Sequence, residues 1–119
     1  MRNRDIYTAK RFGILERCLE LEKALLAIDG VQPHWASNGI DFDLSGLWDN
    51  MDQIIILPPY HFPVGIDNYY QRRRAMLNAI LETAQRFGLT RTEDSIEDYG
   101  SAFYIVLQCD PTWEIKRQE

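Results

Sequence analysis

The chain has 119 residues, 45% of them hydrophobic and 26% charged, with a net charge of −5 at pH 7. That is the length of one domain, with material for one modest core. The negative balance argues against wholesale attraction to nucleic acid or to an anionic membrane, and no apolar run approaches the roughly 20 residues of a membrane span.

The opening MRNRDIYTAKRFG carries charge with no apolar segment behind it, unlike a secretory leader. Cys18 and Cys109 lie far apart, each within an apolar pattern. They read as two reduced, buried thiols, which points to the cytoplasm.

Residues 5–29 read as one helix. Phe12, Leu15, Cys18, Leu19, Leu21, Leu25 and Ile28 recur at three- and four-residue spacings, and Gly30 stands where a helix would stop. Gly13 falls inside the pattern and weakens its first turns. Residues 31–36 and 40–44 then suggest a hairpin around Ser37-Asn38-Gly39, because Asn-Gly accepts the positive φ of tight turns. Ile40, Phe42 and Leu44 alternate with Asp41 and Asp43, so one face is buried and the other carries carboxylates. The loop SGLWDNMD offers Trp48 and Met51 as anchors. Gln53–Leu57 is a short apolar run, a strand covered on both faces or nearly so, and Pro58-Pro59 ends it.

The loop PPYHFPVG is the most unusual local feature, with Tyr60, His61 and Phe62 set among three prolines. It reads as a plug against a helix or as a recognition loop, since exposed aromatic side chains are costly unless used. Asp67 is a candidate N-cap for a second long helix whose stripe is Tyr70, Leu77, Ile80, Leu81, Ala84 and Phe87, closed by Gly88. Residues 91–98 suit a charged edge strand with Ile96 inward, and Tyr99-Gly100 turns the chain into the strand SAFYIVLQC. Trp113 and Ile115 are candidates to dock on the body.

The expectation is one α+β domain over residues 1–119, loose at 1–8 and 114–119. An antiparallel sheet of about five strands would carry two helices on one face, in the order α-β-β-β-α-β-β.

No catalytic or cofactor motif stands out. His34, His61, Cys18 and Cys109 show none of the spacings that bind metals or activate a nucleophile, and there is no phosphate-binding glycine loop. Neither a cofactor nor a metal is expected. Arg72-Arg73-Arg74 invites a nucleic-acid reading, but successive helical residues point about 100° apart and cannot line one groove.

The charge map carries the functional argument. No Lys or Arg occurs between Ala24 and Gln71, where the aspartates give −6, or from Thr92 to Asp110, which gives −5. Residues 1–23 give +2 and residues 72–91 give +4. A strand layer so acidic has a basic surface as its natural partner. Its competing reading is an acidic sheet face that stays soluble and keeps its edges from pairing.

The helix, three-strand, helix, two-strand order and the acidic balance resemble the small acidic chaperones of secretion effectors. The match is one of topology and charge; no signature residue is shared and the third helix of that family is missing. The resemblance implies a homodimeric chaperone or adaptor paired across a two-fold axis.

The leading expectation is a non-enzymatic protein-binding module, monomer or homodimer. It would act as an inhibitor on the basic nucleic-acid-binding surface of a nuclease or DNA-binding protein, as anti-restriction, anti-CRISPR and immunity proteins do. The residues expected to meet the partner are Asp41, Asp43, Asp49, Asp52, Tyr60, Phe62, Glu93, Asp94, Glu97 and Asp98. A small enzyme built on Cys109, His61 or the strand carboxylates is the third reading.

Overall fold

In a computed structural model of the chain, residues 1–36, 39–58, 69–92 and 104–117 are described. The fold is α+β, with helices and a four-stranded antiparallel sheet. The single helix expected over residues 5–29 is two helices, α1 (Asn3–Arg11) and α2 (Leu15–Leu26). Gly13 separates them at φ +73°, where a side chain would be strained. A Cβ there would also lie 2.9 Å from Cδ of Lys116, so the break is a packing site for the C-terminal segment. Helix α2 ends at Leu26, a turn short of Gly30.

The hairpin expected from residues 31–36 and 40–44 is also replaced. Gln32 meets Gly39 in an isolated parallel bridge, and β1 (Asp41–Asp43) pairs instead with β2 (Gln53–Leu57), Phe42 standing opposite Ile56. A short 3₁₀ helix, Ser45–Asp49, turns the chain between the two strands. Helix α3 (Tyr69–Arg86) follows, then β3 (Leu89–Arg91) and β4 (Ile105–Cys109). Among the described residues there are four strands rather than five, in the spatial order β1-β2-β4-β3. Residues 59–68, with Tyr60, His61 and Phe62, and residues 93–103, with Ile96 and the Tyr99-Gly100 turn, lie outside the described residues, as do Ser37 and Asn38.

Phe42, Ile54, Ile56, Ile105 and Leu107 share one face of the sheet through the antiparallel register. They form one core cluster with Leu21 and Leu25 of α2 and Met76, Ile80 and Ala84 of α3. Burial of each large side chain in such a cluster contributes about 1.5–3 kcal/mol. The stripe of α3 is turned from its expected position: Arg73, Met76, Ile80, Thr83 and Ala84 are buried, while Leu77, Leu81 and Phe87 flank them. Strand β2 is covered fully on one face only, because Ile54 and Ile56 are buried while Ile55 and Leu57 are half-buried. No helix among the described residues is long and apolar enough to cross a membrane.

The segment after β4 crosses back over the helices. A second 3₁₀ helix, Pro111–Trp113, is capped by Asp110, whose carboxylate accepts the Thr112 backbone N–H at 2.9 Å. The Lys116 N–H then donates to the Phe12 carbonyl at 2.9 Å, beside the Gly13 break. Arg117 donates to the Leu47 carbonyl at 2.7 Å and pairs with Asp52.

Candidate functional site

The segment from β1 through Ser45–Asp49 to β2 holds the expected acidic residues that are described. Their environments differ. Asp41 pairs with Arg2, whose Nε lies 2.7 Å from its carboxylate. Asp43 accepts the Ser45 backbone N–H at 2.9 Å. Burial pushes the Asp43 carboxyl up, but hydrogen bonds from the Ser45 side chain and backbone, with the charge of Arg4, hold it below the usual carboxylate range. Asp49 is exposed. Asp52 pairs with Arg117 and remains half open to water. Arginines from the two ends of the chain therefore neutralise part of the acidic layer, an arrangement set by tertiary placement. Tyr60, Phe62, Glu93, Asp94, Glu97 and Asp98 lie outside the described residues.

Helix α1 and its C-cap Phe12 bring aromatic and hydroxyl side chains to this corner. Tyr7 stacks on Trp48 with ring centroids 6.3 Å apart, and Phe12 meets the same indole edge-on at 5.0 Å. The indole N–H of Trp48 donates to the Thr8 hydroxyl at 3.2 Å, and that hydroxyl donates to the Arg4 carbonyl at 3.0 Å. Both rings remain open to solvent, Tyr7 at 63% and Trp48 at 47%, with Met51 close by in sequence and also exposed.

Beneath them lies Asp5, only 2% exposed. The Leu44 backbone N–H supports its carboxylate, and Arg4 Nε stands 3.7 Å from Oδ1, beyond hydrogen-bond reach. Its Oδ2 has no hydrogen-bond partner among the described residues. Burial raises the Asp5 carboxyl above its ordinary range, with Asp41 and Asp43 adding to the rise and Arg4 and Leu44 opposing it. A signal for this residue existed: Asp5, Thr8, Ala9 and Phe12 follow the spacing of a buried helical stripe, and a carboxylate on such a stripe is out of place.

The other candidate chemistry finds a structural role. Cys18 and Cys109 are free and buried. Burial pushes both thiols up to about 12, reinforced at Cys109 by Cys18, Asp52 and Asp110 against the opposing charge of Arg17. Each is a protonated, shielded thiol at neutral pH, and the thiolate is the reactive form. A thiol reagent such as Ellman's disulfide should therefore label the native chain slowly and both cysteines at once on denaturation. Rapid labelling of native protein would contradict this. Among the described residues, no three His, Cys, Asp or Glu side chains gather as a metal ion would require. Arg73 is buried while Arg72 and Arg74 are exposed, so the three arginines do not share a surface.

Comparisons of this chain with protein-family models, with curated proteins and with solved structures find no match.

Proposed function

We propose that this protein is a small acidic binding module whose β1–β2 corner docks on a basic protein surface. The observation that carries this is the joining of the exposed Asp49, with Asp43 and the Arg117-paired Asp52 beside it, to an exposed Tyr7, Trp48 and Met51 at one corner of the fold. Aromatic and methionine side chains are enriched at the centres of protein interfaces, and a carboxylate rim gives orientation and fast encounter with a basic partner. Exposed rings in contact with one another at such a corner mark a contact surface better than scattered apolar residues do. The form of partner that fits best is the nucleic-acid-binding surface of a nuclease or DNA-binding protein, which is basic because it neutralises phosphates. The module then acts as an inhibitor by occupying that surface.

The test is capture of partners from cell lysate on the immobilised chain, with elution by rising salt and competition by duplex DNA. A basic nucleic-acid-binding protein should elute as salt rises and be displaced by DNA, because contacts between exposed charges are screened within about 8–10 Å at these ionic strengths. The double variant Asp49→Lys with Asp52→Lys should reduce capture by about tenfold or more, since like charges facing across an interface cost several kcal/mol. Undiminished capture by a folded double variant, or a partner that ignores both salt and DNA, would sink the reading. A dimer mass with no basic partner would favour the chaperone or adaptor class instead.

A further inference from the structure

Six residues of the same corner line an open cleft of about 250 Å³: Arg4, Asp5, Thr8, Asp43, Ser45 and Trp48. Apart from Arg4, its chemistry is one-sided. Asp5 lines it with a buried carboxylate, one oxygen of which has no partner among the described residues and almost no surface open to water, and Asp43 supplies a second carboxylate. Thr8 Oγ1 accepts from the Trp48 indole and donates to Arg4, which leaves it a further lone pair. Trp48 provides an indole, the best of the aromatic rings for receiving a cation. Every one of these features favours a positive charge. A buried acceptor left unsatisfied costs free energy, and functional sites are where such groups persist.

We infer that this cleft is a receptor for the ammonium group of a lysine side chain, held between the Asp5 and Asp43 carboxylates with its methylene stem against Trp48. A compact ammonium on a flexible, narrow stem suits a small cleft better than the broad planar guanidinium fork of arginine. The native cation nearest the site is Arg4, and it is a loose occupant: its side chain is 66% exposed and its Nε stays 3.7 Å from Asp5. An incoming lysine takes the place of that weak neighbour and supplies the cation that the Asp5 carboxylate lacks. The inference rests on the reading of a basic partner, for which it names the side chain that is gripped.

The experiment is an NMR titration of the full chain with blocked pentapeptides Gly-Gly-X-Gly-Gly, followed at the indole N–H of Trp48. With lysine at X the signal should shift and saturate. With norleucine, which keeps the stem and lacks the charge, it should not. Asp5→Asn should weaken lysine binding by about tenfold or more, the loss expected for one charge-assisted hydrogen bond. Arg4→Gln should strengthen it by about threefold, because an exposed competing ion pair is worth little. A merely structural arginine would not produce that gain. An equal shift from norleucine, equal binding of an arginine peptide, no saturable shift with lysine, or unchanged binding in Asp5→Asn would each overturn the assignment. Failure here with salt-sensitive capture intact removes the cleft and leaves the partner reading standing. Lysine binding in a chain that captures no basic partner upholds the cleft and removes the partner reading.

Discussion

Trp113→Ala should lower folding stability by about 3–5 kcal/mol, the range for deleting a large buried aromatic side chain. The residue is 3% exposed and belongs to the core cluster, although it lies only six residues from the end of the sequence. Its indole N–H donates to the Phe87 carbonyl at 2.7 Å. Arg17 lies over the ring, 4.6 Å from its centroid, and donates to the Phe87 and Thr112 carbonyls at 2.8 and 2.7 Å. One side chain thus joins α2, the end of α3 and the C-terminal segment. Removing it opens a cavity and frees an arginine that had covered the ring. Against a typical domain stability of about 5–15 kcal/mol, the loss is large, and the melting temperature should fall by roughly 10–20 °C. Trp113→Phe keeps much of the volume and leaves Phe87 accepting from Arg17, so it should cost only about 1–2 kcal/mol. Thermal and urea unfolding monitored by circular dichroism would measure both. A loss below about 1 kcal/mol in the alanine variant would mean that the segment after β4 is an ornament on a core closed without it.

These contacts explain what could and could not be read from the sequence. Strand β2 was legible at its bounds because four apolar residues and a glutamine between an aspartate and two prolines leave few alternatives. The alternation of Asp41, Phe42 and Asp43 also announced a strand with Phe42 inward, as found. Its partner was not legible. Asn38-Gly39 favours a local hairpin, yet β1 pairs across the 3₁₀ turn with β2, whose apolar face provides Phe42 with a buried neighbour in Ile56. Burial outweighs a turn preference. Gly13 was visible as a weakness in the first helix but not as a stop: it takes φ +73°, and a Cβ there would also meet Lys116 from across the chain. Among the acidic residues, the carboxylates were plain in the sequence and their partners were not. Arg2 and Arg117 reach Asp41 and Asp52 from 39 and 65 residues away. Charge counted along a chain therefore overstates the charge presented by a face.

Asp5→Asn should stabilise the protein at neutral pH, because it removes a buried charge while keeping the shape of the side chain. Most buried polar substitutions destabilise, so the sign is the point of the prediction. The Asp5 carboxyl is raised above its ordinary value of 3.8, with burial as the largest cause. A carboxyl whose folded value is raised penalises the native state whenever it is ionised. The penalty is complete above the folded value, shrinks as pH falls through it and vanishes below about 3.8, where the unfolded chain is protonated as well. The gap in stability between Asp5→Asn and the native chain should therefore be widest near pH 7 and close under acid. All other carboxylates are common to the two proteins, so the difference between them isolates Asp5. Urea unfolding of both proteins from pH 3 to pH 7 would trace the gap. A destabilised asparagine variant, or a gap that does not change with pH, would mean that the carboxylate is satisfied in the native protein and stores no penalty. If the variant is more stable yet no longer binds lysine, the same group explains both results: the carboxylate that weakens the free protein is the one a cation satisfies. Marginal stability exchanged for a binding site is a common arrangement, and here it would reside in a single carboxylate beneath Trp48.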